Sequence, residues 1–395
     1  MAETIFLKPG LPALPADLML ARDHGEVLFI VGAGVSYPDP SSLPDFGGLV
    51  AQIYAEVDPT MSEPIDRIRA GGEQWADIET ILTDLQRTEL KFFQQNEFDV
   101  VLGMLERRID DDPTKDGRMR AAAEKVLSKA RAHNALHSAL VTLGQRFGEA
   151  LLVTTNFDRL LEAAAKAARI PFSASALGQM PNPSRASEFS GIMHIHGMLP
   201  HHRQPGSQLI LTDRDFGDHY LRRHTVTSFL YDAARIFSLV LVGYSANDSP
   251  VRYLLNAIAS DERHFVDLKP RYAFVGCDPN DTRTPAEWTA RGIIPIAYNR
   301  ADGHRALGEV LTEWSRVIPS DQNKKPNRAR LKEISKLSPG APEAEVAKSL
   351  LWYLVRRSNP SERIELIETL SKFGADPLWL TFVNGVIRRP EEGPP

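Results

Sequence analysis

The chain has 395 residues, 43% hydrophobic and 25% charged, with a formal net charge of −5. That length exceeds one ordinary core and predicts one large domain with a smaller one, and the slight acidity gives no general electrostatic reason to bind nucleic acid or an anionic membrane. A single cysteine, Cys277, excludes a disulfide within the chain and a multi-cysteine zinc site. No long apolar run suggests a membrane-spanning helix, and the first twenty residues lack the basic and apolar regions of a signal peptide. The expected location is the cytoplasm.

Residues 1–19 are rich in proline and read as a surface arm. Residues 26–31 form a short apolar run ending at Gly32, the first predicted strand, and a helix follows over 49–57. From 64 to 147 the apolar spacing is helical, with Ile78, Ile81, Leu82 and Leu85 at three- and four-residue steps, then a second helical stretch over 118–143. This segment reads as a helical insertion in the domain. Residues 151–153 are a buried-type strand, 159–168 an Ala-rich helix, 192–195 a strand and 208–211 another, at an edge. Residues 213–237 are mostly helical, 239–242 are a fully apolar strand, and a helix is expected over 250–259. Late strands at 272–275 and 293–297 precede a closing helix at 304–317. Strands alternating with helices predict an α/β protein with a doubly wound parallel sheet.

Composition changes near residue 320, where a polar, basic linker leads into helices at about 329–337, 343–357 and 361–373. Leu350, Leu351, Trp352 and Leu354 are too apolar to stand exposed. The expected organisation is an arm over 1–19, a catalytic domain over 20–319 and a C-terminal helical region over 320–395 that makes oligomer or partner contacts.

Four polar clusters sit at or just past strand ends, where open α/β sheets bind ligands. Gly32-Ala33-Gly34 lets backbone approach a phosphate, with Ser36 adding a hydroxyl; the plainer reading is a tight turn. Asn156 can order a water or a sugar hydroxyl, and Asp158 can bond a carboxamide or simply cap the following helix. His196 before Gly197 can act as a general base or be a buried histidine satisfied by backbone. His194, two residues away, faces the other side of the strand. His201 and His202 read as a solvated turn rather than metal ligands. Gly243-Tyr244-Ser245 and Asp248 suit phosphate or ribose, or a turn and a helix cap. Cys277-Asp278 ends a further strand where an adenosine could lie.

In order, Gly32-Ala33-Gly34-Val35-Ser36, Pro44-Asp45-Phe46, Thr155-Asn156-Phe157-Asp158, His196-Gly197 and Gly243-Tyr244-Ser245 resemble the sirtuin family over residues 20–315. The resemblance implies a Rossmann-like domain that binds NAD+ and cleaves its nicotinamide–ribose bond. By that resemblance Gly32, Ala33, Gly34 and Ser36 hold the pyrophosphate, and Asp45 and Phe46 lie near the nicotinamide ribose. Thr155, Asn156 and Asp158 hold the ribose, an attacking water and the nicotinamide amide. His196 is the base, and Gly243, Ser245 and Asp278 hold the adenosine half.

The departures matter. Gly47 stands where the deacylase branch has arginine, and Thr155 where it has glutamine. One cysteine cannot build that branch's zinc ribbon, so no metal is expected. The pattern resembles the zinc-less, NAD-hydrolysing sirtuin-like proteins of bacterial antiphage defence, as does the segment from Leu211 to Phe216. That branch implies homo-oligomers and, in some members, a hexameric translocase-type ATPase or a short Argonaute protein as partner. The expected function is NAD+ hydrolysis to nicotinamide and ADP-ribose. A protein deacylase and a non-catalytic ADP-ribose or nucleotide sensor are the alternatives.

Overall fold

The computed structural model describes residues 4–71, 81–110, 117–129, 132–177, 180–185, 189–199, 209–244, 268–319 and 324–389. They divide into two compact units, one of residues 28–273 with 286–294, the other of 1–27, 274–285 and 295–395.

The larger unit is built on a parallel sheet. Its strands are β1 (Val27–Val31), β2 (Glu149–Thr154), β3 (Ala174–Ala176), β4 (Gly191–His194), β5 (Ser238–Val242) and the first half of β6 (Arg271–Cys277). With β7 (Ile294–Asn299) the order is β7-β6-β5-β1-β2-β4-β3. The pairs β1–β2, β2–β4, β4–β3 and β5–β6 are parallel. Every residue of β1, β4 and β5 is buried, which is why these strands read as unbroken apolar runs. Apart from β3, this is the doubly wound Rossmann order. The chain leaves β1 toward β2 and leaves β5 toward β6, so the adjacent ends of β1 and β5 form the switch point at which such sheets bind ligands.

Between β1 and β2 lie helices Phe46–Val57, Ser62–Arg69, Asp84–Gln94, Phe98–Ile109, Arg118–Leu127 and Ala135–Leu143. Their apolar core includes Phe46, Tyr54, Phe93, Phe98 and Leu102, and it takes in Phe157, Leu209 and Leu211 from the sheet side. A buried polar knot joins these helices. Glu89 accepts from Tyr54 Oη at 2.8 Å and from Arg108 Nε at 2.8 Å, and Arg108 also reaches Asp58 at 2.7 Å. Ile78 lies outside the described residues. Ile81 and Leu85 are exposed rather than part of a buried stripe, because the Thr83–Gln86 capping box starts the helix at Asp84. Residues 118–143 form two helices rather than one, the second started by Asn134. Residues 209–211 are not a strand, although the Ile210 amide bonds His196 O at 2.8 Å.

In the smaller unit the expected N-terminal arm is packed structure. Thr4–Ile5 pairs with Leu14–Pro15, helix Ala16–Asp23 follows, and Ile5, Leu7, Leu11 and Leu14 are buried. Their partner is helix Ala344–Arg357, the one carrying the Leu350–Trp352 cluster. Tyr353 Oη donates to Asp23 at 2.6 Å, and the Phe6 amide donates to Ser349 Oγ at 2.9 Å. Helix Ala301–Val317 closes this unit with Trp314 fully buried. Helices Lys324–Ser335 and Pro360–Lys372 were foreseen; Pro377–Arg388, which buries Trp379, was not. Compactness therefore does not divide at residue 320: residues 1–27 and 295–395 share one unit. Among the described residues no helix is long and apolar enough to cross a membrane.

Gly243 has φ +78°, and a Cβ there would sit 2.8 Å from Val35 N. Gly243→Ala should therefore lower stability by about 1–3 kcal/mol, read as a lower urea midpoint with unchanged slope.

Candidate functional site

The ends of β1 and β5 touch directly. After Val31 the chain turns at Gly32 into a short 3₁₀ turn, Ala33–Val35. The Gly32 amide donates to Val242 O at 2.8 Å and the Gly34 amide to Gly243 O at 3.0 Å. A Cβ on Gly32 would come within 2.7 Å of Gly243 O and of the Tyr244 ring. The glycines thus serve loop-on-loop packing, as the plainer turn reading had it. In this arrangement the Gly32 and Gly34 amides, expected at the pyrophosphate, donate to main-chain oxygens of the neighbouring turn.

Beside this junction, one pocket is lined by Ser36, Asp45, Thr155, Asn156, Asp158 and His196 on its polar side. Phe46, Leu49, Leu127, Phe157, Ile210 and Tyr244 form much of its apolar side, with Ala33 and Gly243 at the loops. The predicted residues before Ser245 are therefore gathered around one space, apart from Gly32 and Gly34, which pack behind it. Ser245 and Asp248, like His201 and His202, lie outside the described residues. Asp278 is in the smaller unit, where Arg300 Nε donates to it at 2.7 Å.

Ser36 is the hub of the polar side. Its hydroxyl donates to Asp158 Oδ2 at 2.9 Å, accepts from Asn156 Nδ2 at 3.1 Å and lies 3.2 Å from His137 Nε2. Asn156 Nδ2 also donates to Gly32 O at 3.2 Å, so the amide is tied to the β1 loop. Asp158 Oδ1 accepts from the Leu160 amide at 3.0 Å, the helix-end role weighed for it, while its other oxygen faces Ser36. Burial pushes the Asp158 carboxyl above the usual carboxylate range. Asp45 caps helix Phe46–Val57 through the Gly48 amide at 2.6 Å, and Arg69 Nη2 lies 3.7 Å from the same carboxylate. Thr155 Oγ1 is 3.0 Å from Tyr244 Oη, which also reaches Val31 O at 3.2 Å.

The two histidines at the end of β4 diverge as alternation requires. His194 is fully buried between Asn156 O, 2.9 Å from Nδ1, and Glu162 Oε1, 3.0 Å from Nε2. It braces the loop that carries Asn156. His196 turns to the pocket, with Nε2 2.7 Å from Tyr220 Oη. Burial, with a smaller contribution from His219, pushes His196 down to about 3, so the imidazole is neutral near pH 7.

Three contributors escaped the sequence reading. His137 lies inside the helical segment and supports Ser36. Burial, with His133 second, lowers it to about 3. Tyr220 is the partner of His196. Arg120 binds Asp215 at 2.9 and 3.0 Å, Glu106 at 2.8 Å and Leu209 O at 2.9 Å. That clamp explains the Leu211–Phe216 segment: Asp215 also accepts from the Leu211 and Thr212 amides, fixing the strand of chain whose Ile210 bonds His196. The Asn134–His137 capping box was the one available hint. Nothing in the local spacing marks Tyr220 or Arg120.

An asparagine, an aspartate and a histidine are thus gathered at the switch point of a Rossmann-ordered sheet, the place where such sheets bind ligands. Residues 150–296 match the SIR2-like domain, so this part of the chain is similar to that family. It is also 33% identical over 393 residues to the uncharacterized protein y4cA of Sinorhizobium fredii, covering 97% of this chain and 29% of that protein. The chain thus spans less than a third of that relative's length. Among the described residues, no three His, Cys, Asp or Glu side chains cluster as a metal site.

Two neutral buried histidines bear on acid stability. Each has a folded pKa of about 3 against an ordinary 6.5. The unfolded chain therefore binds the extra protons first. Stability is full above about pH 6.5 and declines as pH falls toward 3. Each histidine should contribute roughly 2 kcal/mol of loss by about pH 5. Thermal midpoints measured across this range should fall, and less steeply in His137→Gln than in the parent.

Proposed function

We propose that this chain is an NAD+ glycohydrolase. One observation carries the reading: a SIR2-like domain gathers Asn156, Asp158 and His196 around a single pocket with Asp45 and Phe46, although 45 and 196 are far apart in sequence. In the reaction, the bond between ribose C1′ and the nicotinamide nitrogen breaks, and the oxygen of a water bonds to C1′. Nicotinamide leaves as a neutral amide, ADP-ribose is formed and one proton is released.

The pyridinium already carries positive charge, so its departure needs no general acid. Phe46, Phe157 and Leu49 offer the ring an apolar wall and exclude bulk water. Asn156, turned from Ser36 toward substrate, orders the attacking water. The neutral imidazole of His196 is the form that accepts a proton from that water or from a ribose hydroxyl. Entry of the anionic diphosphate raises its basicity, since a nearby negative charge favours the protonated form. Ser36 and Ala33, which line the pocket, are the first candidates for contact with the diphosphate, with Gly243 and Tyr244 toward the adenosine half.

The same proposal includes an antiphage role in which triggered turnover depletes cellular NAD+. It also includes a cytoplasmic homo-oligomer and the partner classes that the sirtuin-like resemblance implies, a translocase-type ATPase or a short Argonaute protein.

The test is nicotinamide and ADP-ribose release from NAD+ without any acylated peptide. Asn156→Ala and His196→Ala should each lower turnover by about 10²–10⁴-fold. Turnover that requires an acetyl-lysine peptide would instead identify a deacylase. Tight ADP-ribose binding with no turnover, even with the neighbouring gene product present, would identify a sensor.

A further inference from the structure

His196 is gripped by a single stretch of chain. Helix Asp213–Phe216 runs into a π-helical turn, Gly217–Arg222, an uncommon geometry found mostly at functional sites. The last residue of the helix and the turn after it deliver two aromatic side chains to one imidazole. The Phe216 ring meets His196 edge-on, with centroids 5.4 Å apart at 90°, and the Tyr220 ring lies at 5.9 Å and 64°. Tyr220 Oη is 2.7 Å from His196 Nε2, and both residues are no more than 2% exposed. The approach is anchored at its start by the Arg120–Asp215 pair and by the Ile210 amide on His196 O.

Tyr220 therefore occupies Nε2. Among the described residues nothing bonds Nδ1, while the ring as a whole lines the pocket. The nitrogen left to substrate is Nδ1. For Nδ1 to accept a proton, Nε2 must carry the ring hydrogen and donate it to the tyrosine oxygen.

We propose that Tyr220 is the positioning residue of the site: its hydroxyl oxygen holds the His196 ring in one orientation and in the Nε2–H form, presenting Nδ1 as the proton-accepting atom. The inference rests on the reading of His196 as the base. It adds which nitrogen acts and what selects it. Burial pushes the Tyr220 phenol well above its ordinary value, so it stays a neutral hydroxyl. A phenolate, which would instead draw a proton onto the ring, does not form.

The test uses the full chain labelled with ¹⁵N-histidine, with ring nitrogens observed by long-range ¹H–¹⁵N correlation. In the parent, His196, assigned through His196→Gln, should show a single form protonated at Nε2. In Tyr220→Phe the signals should move to averaged values for exchanging tautomers. In Phe216→Leu, which leaves the hydroxyl in place, the Nε2–H form should persist. In parallel, Tyr220→Phe should lower kcat for NAD+ by at least about tenfold, with KM and ADP-ribose affinity within about threefold.

A parent ring protonated at Nδ1, or unchanged ring signals in Tyr220→Phe, overturns the proposal. The first readout needs only the parent and the His196→Gln assignment, and survives a failure of Tyr220→Phe to fold. Equal kcat in the two proteins also overturns it. A parent that releases no nicotinamide under any condition counts against the hydrolase reading, while the ring measurement still decides the role of Tyr220.

Discussion

The close contact between the turns after β1 and β5 is the constraint on which the site depends. Two backbone hydrogen bonds, from Gly32 to Val242 and from Gly34 to Gly243, join the neighbouring strand ends where the chain departs in opposite directions. A side chain at Gly32 or Gly243 would separate them. With the turns joined, the following 3₁₀ turn brings Ser36 beneath Asn156 and Asp158, and the pocket opens beside the junction rather than within it. Glycine here supplies proximity between two pieces of main chain.

The polar side of the pocket is layered. Ser36, Asn156 and Asp158 face the space, His137 and His194 stand behind them, and Tyr220 stands behind His196. Each backing residue is buried and hydrogen-bonded, and such a network is rigid only while every member is satisfied. The apolar core of the inserted helices contributes too, since Phe46 and Leu49 belong both to that core and to the pocket. The helices thus form part of the site wall and are not merely an appendage to the sheet.

Much of this was legible in the sequence. Apolar runs ending in polar residues located β1, β2, β4 and β5, because buried parallel strands are apolar on both faces. The clustering of Ser36, Asn156, Asp158 and His196 followed from their places at strand ends. What stayed hidden depends on tertiary partners. Whether an amide beside glycine is free, as at Gly34, is decided by a strand more than 200 residues away. Tyr220 and Arg120 sit within helical runs where an aromatic or an arginine is unremarkable. Asp278 ends a strand as expected, yet Arg300 takes up its carboxylate. The N-terminal segment looked like an arm because its two-residue strands are too short to show alternation. Its buried leucines are satisfied by a helix from the far end of the chain.

That last pairing carries a consequence for biosynthesis. Residues 4–23 meet their helical partner only at 344–357, so their apolar side chains have no native cover until most of the chain has left the ribosome. The sheet-bearing unit draws on a continuous stretch, 28–273, with one short later segment, and can begin to assemble during synthesis. The smaller unit is closed by contacts of very long sequence separation, which form slowly because a large loop must be ordered first. Its leucine-rich first segment stays without its native cover on the growing chain until residues 344–357 have been made.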